Sequence, residues 1–222
     1  MKLLEKAAAE RKAAAKDIVH QHVKLQKGNR KTGHSVYTVS LLPVIDCPNC
    51  TKCCKDCYDL RHDIIMPTVL KDRARNSAIH AEDPGRFWAE VAEEVVRKRV
   101  RFLRINVGGD LKLDDFWQID RIAVNCPQTE FLFFTKNYKE LNQYIAGCGW
   151  LPGNVHAIVS RWPGMRCSNP YHLPEAYVRF KDREGTYPAG AIRCSGNCSD
   201  CAETKNGCFG LARYQAVVFD QH

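Results

Sequence analysis

The sequence has no long hydrophobic run. No stretch approaches the roughly 20 apolar residues that a membrane-spanning helix needs. The N-terminal segment MKLLEKAAAERKAAAK is charged throughout and lacks the apolar core of a secretory signal. Internal repeats are also absent, and the only low-complexity stretch is this Ala- and Lys-rich N-terminus. These absences predict a protein that neither spans a membrane nor is exported, so we expect its cysteines to be in a reducing compartment.

The composition is that of an ordinary globular chain with a basic excess. Of 222 residues, 45% are hydrophobic and 26% are charged, which excludes disordered and collagen-like proteins. Lys and Arg outnumber Asp and Glu by 33 to 25, for a net charge of +8. Basic residues at 24–31 and 97–101 suit phosphates, but no nucleic-acid-binding module is visible. Nucleic acid therefore stays an alternative partner beside a small-molecule or macromolecular substrate, and the sequence predicts no oligomeric state.

Cysteine is the residue in excess, with twelve in the chain. Nine of them fall into two clusters: Cys47, Cys50, Cys53, Cys54 and Cys57 in the first, and Cys194, Cys198, Cys201 and Cys208 in the second. Closely spaced thiols in a reducing compartment are typical of metal ligands, and the adjacent pair Cys53 and Cys54 suits a disulfide framework poorly. We therefore predict a metal site at each cluster.

The spacing within the first cluster allows several ligand sets. Cys50, Cys54 and Cys57 form a Cys-x3-Cys-x2-Cys pattern, whereas Cys47, Cys50, Cys53 and Cys57 form the pattern of a bacterial ferredoxin loop. Paired Cys-x2-Cys knuckles also bind zinc. The second cluster has a full set of four ligands, for either a 4Fe–4S cluster or one tetrahedral zinc ion.

Strand and helix patterns alternate along the middle of the chain. A helix is predicted over 1–26, a linker over 27–34, strands over 35–42, 100–107, 130–135, 155–160 and 214–219, and helices over 86–98, 113–125 and 138–145. This alternation predicts parallel βαβ units and an α/β fold. The predicted parts are an N-terminal helix and linker (1–34), an α/β core that carries the first cluster (35–193), and a C-terminal metal-binding segment with the last strand (194–222).

Polar residues follow the predicted strands at their carboxyl ends, where α/β folds bind ligands. Gly108, Gly109 and Asp110 follow the second strand, Lys136 follows the third, and Ser160 and Arg161 end the fourth. Asn106 and Thr135 belong to the same set of strand ends. Lys and Arg side chains bind carboxylates and phosphates, so we predict a cofactor or substrate site here.

Two of these motifs together resemble the radical SAM superfamily. Cys-x3-Cys-x2-Cys directly follows the first strand of the core, and Gly108-Gly109-Asp110 follows the second, where that family has Gly-Gly-Glu. The resemblance implies a partial (β/α) barrel in which Cys50, Cys54 and Cys57 hold a 4Fe–4S cluster with one open iron. It also implies that Asp110 helps to bind S-adenosylmethionine at that iron, and that Cys194, Cys198, Cys201 and Cys208 hold an auxiliary cluster, with zinc as the alternative.

A longer series of motifs resembles the phage gene product 88 family. In order, these are Cys47-Pro48 to Cys57-Tyr58, Gly109-Asp110, Phe133-Phe134-Thr135-Lys136, and Cys198 to Cys201. This resemblance implies the cytoplasm of a bacterial host or a phage-infected cell, and it implies no particular reaction. Two hypotheses follow: an iron–sulfur protein resembling radical SAM enzymes, or a non-catalytic zinc or iron–sulfur protein associated with nucleic acid.

Overall fold

The computed structural model describes residues 2–28, 33–57, 59–60, 66–181 and 187–221. The helices in these ranges are α1 (Lys2–Ala15), α2 (Pro67–Glu82), α3 (Pro84–Arg97), α4 (Leu113–Asn125), α5 (Tyr138–Cys148) and α6 (Cys198–Thr204). The strands are β1 (Gln26–Lys27), β2 (Val36–Val39), β3 (Phe102–Ile105), β4 (Glu130–Thr135), β5 (Val155–Ser160), β6 (Glu175–Arg179), β7 (Ile192–Arg193) and β8 (Ala216–Asp220). Short 3-10 turns cover Ile18–His20 and Cys53–Asp56.

All eight strands form one sheet in the order β1-β2-β3-β4-β5-β6-β8-β7. Only β1 runs antiparallel to its neighbour, and the other pairs are parallel. The predicted α/β class is therefore confirmed. The sheet is not closed, since β1 and β7 form its two edges, so a complete barrel is absent from the described residues.

The register places the carboxyl ends of the four parallel strands β2, β3, β4 and β5 side by side, at one end of the strands. Val39 pairs with Ile105, Ile105 with Phe133, and Phe133 with Ala157. The segments that follow these strands carry the first cysteine cluster, the Gly-Gly-Asp motif, Lys136 and Arg161. The strand topology thus brings the predicted site residues together at the carboxyl ends of these strands.

One face of the sheet is covered by helices. Leu103 and Phe133 of this face pack in one buried cluster with Trp88 of α3, Phe116 of α4 and Tyr144 of α5. These helices connect consecutive parallel strands, as βαβ units require. This cluster is the main hydrophobic core.

The C-terminal cysteine segment covers the opposite face. Phe102 and Ile158, whose side chains alternate to that face, form a second buried cluster with Ala202 of α6 and Phe209. The rings of Phe102 and Phe209 meet edge to face at 5.4 Å. Burial on both faces explains why these strands are hydrophobic in consecutive positions rather than in alternate ones.

The termini and edges differ most from the sequence prediction. The predicted helix over 1–26 ends at Ala15, and β1 lies across the boundary between the predicted helix and the predicted linker. The buried Ala7 of α1 packs beside Leu70 and Ala74 of α2. No helix among the described residues is long and apolar enough to cross a membrane.

Candidate metal centre and the strand ends around it

The first cysteine loop is fastened to the segment after β3 by backbone hydrogen bonds. Leu41 N–H donates to the Gly108 carbonyl at 3.0 Å, and Asp110 N–H donates to the Asp46 carbonyl at 3.0 Å. The Asp46 carboxylate also accepts from Leu42 N–H at 2.9 Å, which closes the turn into the loop. The loop therefore begins in a fixed position beside the Gly-Gly-Asp motif.

Three sulfur atoms of this loop come together. The Sγ atoms of Cys50, Cys53 and Cys54 lie within 4.8 Å of one another, the only such group of potential metal ligands among the described residues. The 3-10 turn Cys53–Asp56 brings Cys53 and Cys54 to this position. The predicted cysteine cluster thus provides three ligand atoms at the spacing of a metal site.

The structure joins Cys50 and Cys54 by a disulfide, with their Cα atoms 5.6 Å apart. This differs from the prediction that the cluster holds a metal rather than a disulfide, because a separation of four residues brings the two sulfurs into bonding distance. Shared ligation of one metal ion also needs the sulfurs close together, but at the longer, non-bonded separation set by two metal–sulfur bonds. Reduction of this bond gives a group of three thiols, and the other ten cysteines are already free.

Cys47 and Cys57 are outside this group of three sulfurs, and both interact electrostatically with Lys136. Burial raises the pKa of Cys47 to about 12, and the Asp110 carboxylate adds to this shift while Lys136 opposes it. Burial also raises the pKa of Cys57, with Lys136 again opposing. The set Cys50, Cys54 and Cys57 does not meet the 4.8 Å spacing, since Cys53 takes the third place.

Gly108 and Gly109 are required by packing. A Cβ atom at Gly108 would lie 2.4 Å from Asp59 Oδ2 and 2.6 Å from Arg73 Nη1, two side chains that form a buried ion pair at 2.5 Å. Gly109 has φ +86°, a conformation that glycine adopts without steric cost. Gly108 therefore leaves room for the Asp59–Arg73 ion pair, and Gly109 allows the tight turn that leads to Asp110.

Asp110 connects the ends of β3 and β4. Its buried carboxylate accepts from Leu111 N–H at 2.8 Å, Thr135 Oγ1 at 2.6 Å and Lys136 N–H at 2.9 Å. Burial raises the pKa of Asp110, while the Thr135 hydroxyl and Lys136 act in the opposite direction. A carboxylate has about four acceptor positions, so these three donors leave about one of them unoccupied.

Asn106 lies at the end of β3 in a left-handed conformation, with φ 51°. The residue is buried, and its Nδ2 atom has no acceptor among the described residues. Buried donors are rarely left without a partner, and strained residues of this kind cluster at functional sites. Asn106 is therefore a ligand-binding candidate with two independent features.

The remaining predicted strand-end residues lie beside the site with different partners. Lys136 Nζ is 5.7 Å from the centre of the Trp162 ring, and the Ser160 carbonyl accepts from the Tyr138 hydroxyl at 2.5 Å. Arg161 Nε is 3.6 Å from a Glu175 carboxylate oxygen. Lys136 is thus the more available cation, because Arg161 already has a carboxylate partner.

The second cysteine cluster lies on the sheet face opposite the helices. Cys194 follows β7, Cys198 and Cys201 are on α6, and Cys208 precedes Phe209. Burial raises the pKa of Cys208 to about 12, the Arg104 guanidinium opposes this shift, and the three neighbouring thiols add to it. The four thiols therefore interact, although no three of their sulfurs meet the 4.8 Å spacing of the first group.

Arg104 is the site residue that the sequence prediction missed. It is the central charged residue of β3, and its Nη1 lies 3.6 Å from Cys198 Sγ while its guanidinium carbon is 5.1 Å from the Phe134 ring centre. A guanidinium offsets the negative charge that four thiolates would concentrate here. The available indication was one charged residue in the otherwise apolar run FLRI.

Comparison with known proteins places this arrangement in a family. The family model described as Gene product 88 matches residues 3–208. The chain belongs to the gene product 88 family. The match to this phage family extends over both cysteine clusters, up to Cys208. No curated protein and no solved structure matches this gene product 88 protein.

Proposed function

We propose that this gene product 88 protein binds a metal centre through the first cysteine loop. The observation that carries the proposal is the meeting of the Cys50, Cys53 and Cys54 sulfurs within 4.8 Å. Thiolates this close repel one another strongly unless a cation or a covalent bond compensates them. In a reducing compartment, where the Cys50–Cys54 bond is open, a metal ion supplies that compensation.

We further propose that the centre is a 4Fe–4S cluster of the kind that radical SAM enzymes carry. This proposal is supported by the loop directly after β2, the Gly-Gly-Asp motif after the neighbouring strand, and the parallel order of β2 to β6. With S-adenosylmethionine bound, such a cluster in its reduced state would supply one electron, which would break the C5′–S bond of the sulfonium and give methionine and a 5′-deoxyadenosyl radical. The proposed ligand set then includes Cys57 in addition to Cys50 and Cys54.

The strand ends beside the loop offer groups that suit an amino acid ligand. The acceptor position left on Asp110 suits an ammonium group, the unpartnered Asn106 Nδ2 suits a carboxylate or carbonyl oxygen, and Lys136 attracts a carboxylate. Asp110 and Lys136 both interact electrostatically with Cys47 of the loop. These three side chains would therefore orient the ligand beside the metal.

A single zinc ion is the second candidate, and the sulfur spacing favours it. Tetrahedral coordination with Zn–S bonds of about 2.3 Å places two sulfurs about 3.8 Å apart, and the three sulfurs within 4.8 Å would need only the Cys50–Cys54 bond to be reduced to reach this spacing. An iron–sulfur cluster distributes its thiolates over separate irons, so the loop would have to open to accept it. A zinc site would make this loop a structural element.

Metal analysis of cysteine variants tests the proposal. The protein is purified anaerobically and assayed for iron, acid-labile sulfide and zinc, in parallel with Cys53→Ala, Cys57→Ala and the control Cys148→Ala, an isolated half-buried cysteine. Iron and sulfide that are lost in Cys57→Ala and kept in Cys53→Ala support the radical SAM-type set. Zinc that is lost in Cys53→Ala supports the mononuclear site, and a folded protein without either metal contradicts the proposal.

A further inference from the structure

A pocket of about 550 Å³ opens beside the first cysteine loop, between the segments that follow β4 and β5. Its lining includes Thr51 of the loop, Lys136 and Lys139 at the start of α5, and Met165, Arg166 and Ser168 after β5. We call it the β4–β5 pocket. Its size lies within the range of about 300–1,000 Å³ of sites that bind small molecules.

The cations of the β4–β5 pocket form no salt bridge with a carboxylate of the described residues. Lys136, Lys139 and Arg166 line the pocket, none of them has a carboxylate oxygen within 4.0 Å among the described residues, and no described lining residue is acidic. Some basic side chains outside the pocket do form such pairs, as Arg86 does with Glu90 and Arg179 with Asp220. Three cations without a salt bridge line one concave surface and repel one another, and an anion in the pocket would relieve this repulsion. Of the three, Lys136 interacts electrostatically with the buried Asp110.

A fourth cation lies directly behind the lining. Lys52 Nζ would be 2.9 Å from a Cβ atom at Gly164, a lining residue with φ +73°. The glycine therefore allows the lysine of the cysteine loop to approach the pocket wall. The first turn of α5 also lines the pocket, and the positive end of a helix dipole adds to the attraction for an anion.

We propose that the β4–β5 pocket binds a small molecule that carries a phosphate group. The charge is suited to a dianion, and the remaining polar lining groups include the Thr51 and Ser168 hydroxyls, which donate hydrogen bonds to phosphate oxygens. Met165 and the body of Tyr138 provide an apolar wall for the rest of the ligand. This assignment does not depend on which metal the cysteine loop holds.

The lining favours a small molecule over a nucleic acid strand. Single-stranded nucleic acids bind along grooves in which exposed aromatic rings stack on the bases. The only aromatic residue that lines this pocket in the described part of the chain is Tyr138, which is buried and donates its hydroxyl to the Ser160 carbonyl. The basic residues also surround one cavity and do not follow an extended path.

Calorimetric titration tests the proposal with three probes: pyrophosphate, AMP and a single-stranded oligonucleotide. The test variant is Lys139→Gln with Arg166→Gln. The matched control is Lys71→Gln with Arg121→Gln, which removes the same charge from exposed positions on α2 and α4. We expect pyrophosphate or AMP to bind, and the affinity to fall at least about tenfold in the test variant because charge-assisted hydrogen bonds are lost. The control should stay within about twofold, as for charges outside the site.

Several results would overturn the assignment. These are no binding of pyrophosphate or AMP at millimolar concentration, an equal loss of affinity in both double variants, or oligonucleotide binding that excess AMP does not displace. The last result would assign the pocket to a nucleic acid. Metal content is measured on the same samples, so a failure of the metal proposal is seen separately.

Discussion

Asn106 combines a left-handed backbone, with φ 51°, and a buried amide donor without an acceptor among the described residues. Each feature is unfavourable for folding, by roughly 1–3 kcal/mol for an unsatisfied buried donor. Folded proteins keep such costs where a ligand later uses the group. At the residue scale, these two features therefore indicate that Asn106 belongs to a binding site rather than to a purely structural turn.

Replacing Asn106 with glycine tests this interpretation. Arg99 also has a left-handed backbone, with φ 50°, but its side chain is exposed, so Arg99→Gly is the matched control for backbone strain alone. For each variant, the change in the free energy of unfolding is measured relative to wild type. We expect this change to be about 1 kcal/mol more favourable for Asn106→Gly than for Arg99→Gly, because Asn106→Gly also removes the unsatisfied donor. Urea unfolding measures both values. A greater loss of stability in Asn106→Gly would mean that the amide stabilises the fold.

The first cysteine cluster shows which features of the site could be predicted from the sequence and which could not. The position of the first cysteine cluster after β2 and beside Gly108-Gly109-Asp110 could be predicted, because parallel strands bring their following segments to one edge. The grouping of Cys53 with Cys50 and Cys54 could not, since it depends on the local turn Cys53–Asp56. The buried ion pair of Asp59 and Arg73 behind Gly108 also has no local sequence pattern.

At the scale of elements, long and strongly patterned segments were predicted well. The predicted ranges 113–125, 130–135 and 155–160 coincide with α4, β4 and β5, because each has a clear helical period or a continuous apolar run. The two-residue strand β1 was missed, and β6 and β7 lie within residues 163–193, where the sequence pattern is loop-rich with only short strand candidates. Such short edge segments are determined by pairing with a neighbour and carry little pattern of their own.

Three helices meet at the buried carboxylate of Asp115. It accepts from His80 Nε2 of α2 at 2.6 Å, from Trp88 Nε1 of α3 at 2.8 Å, and from the backbone N–H of Lys112 at 2.8 Å. Burial alone would raise the pKa of Asp115, but the hydrogen bonds and charge of His80, with the other donors, lower it below its ordinary value of 3.8. The ionised form is therefore stabilised in the folded state.

This lowered pKa predicts a dependence of stability on pH. Because the folded pKa lies below the unfolded one, Asp115 stabilises the fold above pH 4, and this contribution is lost as pH falls through the folded pKa. We expect Asp115→Asn to lower the free energy of unfolding by about 3 kcal/mol at pH 7, with the difference from wild type shrinking below pH 4. Urea unfolding of the wild type and of the variant, at pH 7 and at a pH below 4, measures this difference.

The neighbouring Asp114 is the control for that experiment. It is exposed on the same helical turn, so Asp114→Asn should change stability by less than about 0.5 kcal/mol. A deficit of Asp115→Asn that does not shrink with falling pH would contradict the account, because it would assign the loss to packing rather than to the carboxylate charge.

At the scale of the whole molecule, both cysteine clusters lie where segments distant in the sequence pack against each other. The first loop holds the end of β2 against the segment after β3, and the second segment covers the sheet face opposite the helices with Ala202 and Phe209. Metal binding at such positions contributes directly to folding, because the preformed site exists only in the folded chain. A structural role and a chemical role for the proposed metal are therefore compatible in this fold.

The most direct test is an anomalous diffraction map from anaerobically grown crystals, collected at the iron and zinc absorption edges. We predict an anomalous peak bonded to sulfur atoms of the Cys47–Cys57 loop, at the edge of the sheet where Asp110 ties β3 to β4. A map in which reduced Cys50, Cys53 and Cys54 surround no metal, or in which their disulfide persists under reducing conditions, would contradict the proposed metal centre.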